Sequence, residues 1–448
     1  MLAGADAGTT RATGPPFVRS LFFFVAIAVA GCGGAGPGTD SADATESKVA
    51  PSENWKRDVV STDLKIDLAT HHGTAVIHLA ESTRTGASFE VGGLQVESVR
   101  GPKGPLRFEV EGQSLHVGLP AKKPAEITVE YSFQTHAKLE GATQSGNTFL
   151  WPYFCGNLFP CKSAPADGLR FQLELTGVPA GETAIFPSVI DADAPSYMLA
   201  WAIGRYTHKP LGTTAAGTKV SVYHLPGEES AAVKGTAHLA AAFDWYERTY
   251  GGYTFGKDVA SVSADWGSGA FGGMEHHPYW HVSRSSIGDA ETHAHEAAHG
   301  WFGDGVRIRC WEDLALSEGT TSYVTARALA AVAGKQAGDA VWADYQKRLD
   351  AVVASQDRRA WPDSCGTIDV LHDLWNDVVY MKGAFFYRAV ERAVGPAAID
   401  RALSRFYAER RGQAAGMQDM LDTIEAETGF DPSELARTWL QSLGAPQP

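Results

Sequence analysis

One short segment carries side chains that could bind a metal ion and activate water. His295 and His299 are four positions apart, and Glu296 directly follows the first of them. In a helix, residues four apart lie on one face, so both imidazoles could bind one metal ion. Glu296 would then lie beside the ion, where a general base for a bound water belongs. Glu318, nineteen positions after His299, is predicted to supply the third ligand.

Two imidazoles and one carboxylate are a standard ligand set for catalytic zinc, which lowers the pKa of water to about 7 and polarises a carbonyl. The alternative is a surface helix with two histidines, since so short a pattern also arises by chance. The small and apolar residues of HEAAHGWF favour a buried helix, and buried imidazoles need partners. His276, His277, His281 and His293 lack the helical spacing, so we interpret them as structural or supporting residues.

The pattern of apolar residues predicts the elements that must position this segment. From about Trp55 to Thr207, apolar and polar residues alternate, as in TAVIHLA and AEITVEYSF, which predicts an antiparallel β domain. After Glu228 the period becomes helical, and predicted helices include 290–303, 317–332 and 379–394. The predicted fold class is α+β, with a β domain over 55–210 and a mostly helical domain over 211–448.

The first 54 residues are predicted to lie outside the fold. Arg11 and Arg19 precede ten apolar residues, LFFFVAIAVA, a length that suits a signal peptide and is too short to span a bilayer. VAGC resembles a bacterial lipobox, so we interpret 1–31 as a lipoprotein signal peptide and Cys32 as lipidated; an ordinary secretory signal is the alternative. Residues 32–54 then form the anchor and a flexible tether. We therefore expect an exported protein, lipid-anchored to a bacterial membrane on its periplasmic or cell-surface face.

Export implies an oxidising compartment, in which the remaining cysteines can pair. Proximity in the sequence favours Cys155 with Cys161, and hence Cys310 with Cys365, although four cysteines allow three connectivities. A cysteine-based zinc site is disfavoured because no C-x-x-C pair occurs. The formal net charge of −14 and the lack of a long basic run argue against nucleic acid as a partner.

The segment HEAAHGWFGDGV, followed by Glu318 in LSEGTTSY, resembles the aminopeptidase N family of zinc metallopeptidases, which includes leukotriene hydrolase. Five further segments are similar to family segments: FGGMEHHPYW, VVYMKGAFFYRAVERAVG, LFPCKSAPADGLRFQLEL, SYMLAWAIGRYT and ARTWLQSLGAPQP. They correspond to the family's GxMEN and YxKG segments, its FPCFDEP stretch, the strand that ends the N-terminal β domain, and the last helix of the catalytic domain. The resemblance covers about Trp55 to the C terminus. It implies a thermolysin-like catalytic domain, one zinc ion and peptide substrates.

The resemblance also implies catalytic roles. His295, His299 and Glu318 would bind zinc. Glu296 would take a proton from the zinc-bound water and pass it to the leaving amine. Tyr380 matches the family tyrosine that donates a hydrogen bond to the oxyanion. On its residues alone, Tyr380 would read as a core tyrosine of an amphipathic helix.

Substrate binding is implied for the segment Gly272, Gly273, Met274 and Glu275. Glu275 matches the glutamate that holds the α-amino group of the substrate. The two glycines would let the peptide approach and pair as an added strand. His276 replaces the family's Asn, and the second amino-terminal anchor of the N-terminal domain has no counterpart here. Recognition of the amino terminus is therefore expected to depend on Glu275 alone.

Two further departures bear on the expected activity. Asp304 stands where the family has the Asn of WFGN, and could tune the metal site or be neutral. The chain stops where the family's catalytic domain stops, so we expect no C-terminal helical domain and a more open cleft. An aminopeptidase is the leading expectation. The alternatives are a peptidase that also cuts internally and a non-catalytic, peptide-binding surface lipoprotein.

Overall fold

The computed structural model of the protein describes residues 49–137, 139–150, 153–267, 270, 272–370 and 376–446. The predicted signal peptide and Cys32 lie outside these residues. Within the described ranges, every helix is too short or too polar to cross a membrane.

The N-terminal region is rich in β-structure. Its described strands are β1 (Val59–Asp67), β2 (His72–Leu79), β3 (Ala87–Glu90), β4 (Gln95–Gly101), β5 (Gly104–Pro105), β6 (Phe108–Glu111), β7 (Ser114–Val117), β8 (Ala125–Ser132), β9 (Glu140–Ala142), β10 (Thr148–Leu150), β11 (Gly168–Thr176), β12 (Thr183–Ile185), β13 (Val189–Pro195) and β14 (Ala202–Gly204). Seven of them form one sheet in the order β13-β11-β1-β2-β8-β4-β5. Along β2, buried and half-buried residues alternate strictly, as the period-two pattern predicts.

One strand pair departs from the predicted antiparallel domain. β1 pairs with β11 in parallel, whereas β1 with β2 and β2 with β8 are antiparallel. The prediction of a purely antiparallel domain is therefore wrong at this pair. An alternating pattern fixes which face of the sheet a residue lies on, but carries no information about the direction of the neighbouring strand. A disulfide joins Cys155 to Cys161 in the loop before β11.

A second sheet begins with β15 (Thr207–Thr213) and continues with β16 (Lys219–His224), β17 (Asp258–Ala264), β18 (Gly273–Met274) and β19 (Tyr279–Ser283). Its order is β15-β16-β17-β19-β18, which makes β18 an edge strand. The predicted boundary at residue 210 falls inside β15, which pairs with β16 and so belongs to the second sheet. Alternation alone could not assign this strand, because it is the same in either sheet.

Helices pack around this sheet. Those described are α1 (Glu229–Gly235), α2 (Leu239–Tyr250), α3 (Ala290–Ala298), α4 (Thr320–Ala333), α5 (Lys335–Gln356), α6 (Asp377–Val394), α7 (Pro396–Arg410), α8 (Met417–Thr428) and α9 (Ser433–Ala436). Two π-helical turns, Ala315–Gly319 and Arg437–Gln441, adjoin α4 and α9. β20 (Arg307–Ile308) and β21 (Ala414–Ala415) form a short parallel pair. α3 packs against α2, α4 and the edge of the second sheet, so it lies in the interior.

Candidate active site

α3 begins and packs as its sequence requires. The side chain of Asp289 accepts hydrogen bonds from the backbone N–H groups of the first turn, at Glu291 and Thr292, and so caps the helix. Ala294, Ala297 and Ala298 are fully buried, and their small side chains allow close packing against neighbouring elements. This arrangement buries the helix that carries the predicted metal ligands.

The three predicted ligands lie together. The regular helix ends at Ala298, five residues earlier than predicted, but His299 keeps helical φ and ψ and therefore shares a face with His295. The Nε2 atoms of His295 and His299 are 3.2 Å apart. Glu318, in the π-helical turn before α4, places Oε2 at 3.1 Å from His295 Nε2 and 3.4 Å from His299 Nε2. All three residues are buried.

The donor set fits a zinc ion. His299 Nδ1 donates a hydrogen bond to the carbonyl of Phe302 at 3.0 Å, so its Nε2 lone pair points at Glu318. A carboxylate and an imidazole lone pair then converge at contact distance, an arrangement that requires a positive charge between them. Two imidazoles and one carboxylate are also a zinc ligand set that leaves a coordination position open.

The electrostatics of the cluster agree with this interpretation. Burial would raise the pKa of Glu318, but when Nε2 of His299 is also protonated, the charge of His299 and hydrogen bonds from both imidazoles lower that pKa to about 2, so a proton there supplies the positive charge that a bound ion would otherwise provide. Burial would lower the pKa of His299, yet the carboxylates of Glu318 and Glu275 raise it well above its ordinary value. The cluster therefore stabilises positive charge at the position where the three side chains meet.

Glu296 lies beside the cluster and is not consumed by it. Its carboxylate makes no hydrogen bond with the described residues, and burial, followed by the charges of Glu275 and Glu318, raises its pKa well above the ordinary value. Gly273 approaches it closely: a Cβ at Gly273 would lie 2.4 Å from Glu296 Cγ and 2.6 Å from Oε1. The edge strand β18 thus passes directly over the predicted base.

A buried pair that the sequence did not single out for this role supports Glu296 from behind. His277 Nε2 donates to the backbone carbonyl of Glu296 at 3.0 Å. Its Nδ1 must then accept, and the Tyr253 hydroxyl donates to it at 2.8 Å. Both residues are buried. The sequence predicts His277 to be a structural or supporting residue, without indicating its partner. Its position close to Met274 and Glu275 in the sequence is the one signal for a contact near the site.

Glu275 lies within reach of the same cluster. One carboxylate oxygen of Glu275, one of Glu296 and one ring nitrogen of His299 lie within 4.8 Å of one another. Glu275 is buried, which raises the pKa of its carboxyl group, partly offset by His299. Met274 is buried in the core.

Gly272 and Gly273 differ in whether their backbone groups are available to pair with a peptide. Gly272 has a φ of +85°, in the region that favours glycine. Its N–H donates to Ser286 Oγ at 2.7 Å, and its carbonyl accepts from the N–H of Ser283 at 2.9 Å, so both groups are engaged within the protein. Gly273 pairs with Val282 on one side and faces outward on the other, because β18 is an edge strand. Of the two predicted positions, only Gly273 leaves an edge for strand addition.

Tyr380 lies in the first turn of α6 and reaches the metal ligands. Its ring stacks on that of His295, with centroids 6.0 Å apart and planes inclined by 25°. Its hydroxyl makes no hydrogen bond with the described residues. Burial and the nearby glutamates raise its pKa well above the ordinary value, and the charge of Arg348 opposes that rise. A protonated, unengaged hydroxyl is what an oxyanion donor needs.

Backbone contact sets the distance between Tyr380 and the third ligand. Gly319 follows Glu318, and Gly383 lies one turn after Tyr380. A Cβ on Gly319 would lie 2.6 Å from Gly383 Cα, and the converse distance is 2.5 Å. The π-helical turn and α6 therefore touch through their backbones, which only glycine permits at this separation.

Asp304 and His276, two positions where the sequence departs from the family pattern, are both buried at the site. Asp304 is fully buried; its N–H donates to the carbonyl of His299 at 3.1 Å, and its carboxylate oxygens have no hydrogen-bond partner among the described residues. Tyr197, which the sequence did not single out, is the buried phenol whose pKa rises through burial and then through Asp304 and Glu275. His276 contacts His281 through their Nδ1 atoms, 3.1 Å apart. The N-terminal region thus reaches the site through Tyr197.

A second disulfide lies close to the cluster. Cys310 pairs with Cys365 and so connects the segment before Glu318 to the segment before α6. Glu312 reinforces this connection, because its Oε1 accepts from the N–H groups of Thr367 at 2.6 Å and Ile368 at 3.1 Å. The two segments that carry Glu318 and Tyr380 are therefore cross-linked as well as packed.

Comparison with known proteins agrees with this geometry. Residues 280–439 match the peptidase family M1 domain. Leucine aminopeptidase 2 of Neurospora crassa is 24% identical over 429 residues, which cover 83% of this chain and 62% of that protein. Aminopeptidase M1-B of Oryza sativa subsp. japonica is 25% identical over 321 residues, covering 64% of this chain and 36% of that protein. The chain thus spans about a third to two thirds of the length of these curated relatives.

Solved structures share the fold. The M1 zinc metallopeptidase from Deinococcus radiodurans superposes with a TM-score of 0.73 at 19% identity, covering 87% of this chain and 95% of that one. Native yeast LTA4 hydrolase gives a TM-score of 0.74 at 18% identity, covering 88% and 69%. The predicted order of a β-rich region followed by a mostly helical region is thereby confirmed. The matching domain, these relatives and the shared fold together support the aminopeptidase N family of zinc metallopeptidases, the family that the sequence resembles.

Proposed function

We propose that this protein is a zinc-dependent aminopeptidase that removes single residues from the amino terminus of peptides. The distance between Glu275 and the cluster carries this proposal. Glu275, Glu296 and His299 place their polar atoms within 4.8 Å of one another. One extended residue spans about 3.5 Å. An ammonium group held by Glu275 therefore leaves room for only one residue before the carbonyl that reaches the cluster.

Charge supports the same substrate. Glu275, Glu296, Glu318 and Asp304 are buried carboxylates, and a divalent ion offsets two of their four negative charges when all are ionised. The remaining negative charge attracts a free α-amino group and disfavours an acidic amino terminus. An acetylated peptide, which lacks the ammonium group, would leave the Glu275 carboxylate buried without a partner.

Each catalytic side chain has one task in this reaction. His295, His299 and Glu318 would hold zinc, which would supply a Lewis acid able to polarise the carbonyl and acidify water. Glu296 accepts the proton of the attacking water and delivers it to the departing amine. Tyr380 donates its hydroxyl hydrogen to the oxygen that becomes negative during attack.

The test compares one peptide in two forms, free and N-acetylated, with the protein loaded with zinc. Mass spectrometry of the products should show stepwise loss of residues from the free peptide alone. Glu296→Gln is the control, because it keeps the size of the side chain and removes the base. Cleavage of both forms would favour the endopeptidase alternative. Turnover equal to that of Glu296→Gln would favour a non-catalytic peptide-binding protein.

We also propose that the protein is exported and lipid-anchored through Cys32. The lipobox-like VAGC, which ends at Cys32, and the preceding apolar stretch support this proposal. In a bacterial host, metabolic labelling with a fatty acid should mark the full chain and should not mark Cys32→Ser. Export of an unlabelled wild-type chain would favour an ordinary secretory signal instead.

A further inference from the structure

The hydroxyl of Tyr380 makes no hydrogen bond with the described residues. The position of Tyr380 therefore depends on how α6 is held. The first turn of α6 is tied to α5 by Arg348, whose Nη2 donates to Asp377 Oδ1 at 2.8 Å and whose Nε donates to Oδ2 at 3.4 Å. Asp377 is 3% exposed. A guanidinium that meets a buried carboxylate with two parallel bonds fixes orientation as well as distance.

The same face of α5 also reaches the zinc-binding helix. Tyr345 lies one turn before Arg348, and the guanidinium of Arg348 lies 5.6 Å from its ring centroid. The buried Tyr345 hydroxyl donates to Glu291 Oε1 at 2.6 Å. Glu291 belongs to the first turn of α3. A continuous chain of contacts therefore runs from Asp377 through Arg348 and Tyr345 to Glu291.

This chain closes a loop with the catalytic pair. Glu291 precedes His295 by four residues, about 6 Å along α3, and Asp377 precedes Tyr380 by three residues, about 4.5 Å along α6. The rings of His295 and Tyr380 stack on each other at the other end. α3 and α6 therefore each contact α5 about one helical turn N-terminal to the residues, His295 and Tyr380, through which they contact each other.

We propose that Arg348 is a positioning residue for Tyr380, which holds the hydroxyl of that tyrosine at the distance from the zinc-binding helix that the reaction needs. This inference rests on the proposed function and goes beyond it, because Arg348 itself touches neither the metal ligands nor Glu296. Losing such a supporting residue typically costs about 10- to 100-fold in activity, the range expected for misplacement by about 1 Å.

Kinetics test the inference through a double-mutant cycle. Arg348→Met should lower kcat about 10- to 100-fold and change KM by less than about threefold, because the interaction matters only in the transition state. Arg348→Lys should recover part of the loss, since it keeps the charge without the two-pronged geometry. In a Tyr380→Phe background, Arg348→Met should cost nothing further. A similar loss in both backgrounds would overturn the inference, because a general structural defect does not need the Tyr380 hydroxyl.

Arg327 provides the matched control. Like Arg348, it pairs with carboxylates of other helices and lies near a tyrosine ring: Glu391 is at 3.2 Å, Asp400 at 2.8 Å and the ring of Tyr323 at 5.7 Å. None of its contacts with these residues involves α3 or the first turn of α6. Any effect of Arg327→Met on kcat should be the same with and without the Tyr380 hydroxyl. An Arg327→Met effect that disappears in the Tyr380→Phe background would show that the cycle lacks specificity, and would overturn the assignment to Arg348.

A second readout does not depend on turnover. In protein with ¹³Cζ-labelled tyrosine, the signal missing from Tyr380→Phe identifies Tyr380 by NMR. Arg348→Met should shift or broaden that signal, whereas Arg327→Met should leave it in place. If the wild type hydrolyses no peptide, the proposed function fails and this signal alone decides the inference. An unmoved Tyr380 signal in Arg348→Met would overturn it.

Discussion

The approach of Gly273 to Glu296 predicts that one methyl group can disable the base without unfolding the protein. A Cβ at Gly273 would lie 2.4 Å from Glu296 Cγ, whereas ordinary contact between carbon atoms is about 3.5 to 4.0 Å. The glutamate side chain must therefore retreat by at least about 1 Å. Misplacement by 1 Å can cost about 100-fold, or about 2.7 kcal/mol of transition-state stabilisation.

Stability should respond far less than activity to Gly273→Ala. The atoms that must move belong to the end of the Glu296 side chain and not to the backbone, and Gly273 does not have a positive φ. We therefore expect kcat to fall about 100-fold while the free energy of unfolding changes by less than about 1 kcal/mol. Steady-state kinetics on a free peptide, zinc content and urea denaturation measure the three quantities.

Gly252→Ala is the matched control, because a Cβ at Gly252 would meet no described atom within 4 Å and its φ is not positive. It should leave kcat and stability unchanged. Full kcat in Gly273→Ala would refute the reasoning, since it would mean that Glu296 need not stay where the structure places it. A large loss of stability with unchanged zinc content would also refute it, because the backbone rather than the base would then have moved.

Three further predictions concern stability. Removing zinc with a chelator should lower the melting temperature, because Glu318 and the two imidazoles lose the charge between them; calorimetry with and without zinc checks this, and an unchanged melting temperature would contradict the proposed ligand set. Replacing Cys310 and Cys365 by Ser should lower the free energy of unfolding by about 4 kcal/mol, and replacing Cys155 and Cys161 by about 2 kcal/mol. The first disulfide bridges residues 55 positions apart and the second residues 6 apart, and the longer loop restricts the unfolded chain more. Urea denaturation without reductant measures both losses, and the reverse order would contradict the prediction. Lys382→Met should lower the free energy of unfolding by about 3 kcal/mol, because the buried ammonium donates hydrogen bonds to Asp357 and to the carbonyls of Arg358 and Ser442. Lys335→Met, at an exposed ion pair, should lower it by less than about 1 kcal/mol. Equal losses in urea denaturation would contradict the role of burial.

Local spacing accounts for the part of the site that the sequence predicts well. The separation of His295 and His299 needs only helical periodicity to bring two imidazoles onto one face. That geometry survives even though the helix ends at Ala298, because His299 keeps helical dihedral angles. Glu318 is predicted as the third ligand from its place after the first helix, and the resemblance implies the same residue, but spacing alone does not say how the two segments meet. Here a π-helical turn, which no apolar pattern indicates, carries that ligand.

Contacts between distant segments account for what the sequence could not predict. The parallel pairing of β1 with β11 and the place of β15 in the second sheet depend on partner strands, whereas the alternation of side chains is the same for any partner. Likewise, the sequence does not single out Arg348, Tyr345 or Asp377, and Asp377 lies two residues before the predicted helix 379–394. Their importance follows only from the way in which α3, α5 and α6 meet.

The contact between Gly319 and Gly383 makes the spacing of the segments that carry Glu318 and Tyr380 independent of nearby side chains. Because the contact involves backbone atoms alone, no change of rotamer at the contact can alter the separation of the backbones that carry Glu318 and Tyr380. A pocket of about 430 Å³ next to α6 is lined instead by side chains, among them Trp311, Ile368 and Val379. Side chains around the site can thus be substituted while the backbones that carry Glu318 and Tyr380 keep their separation.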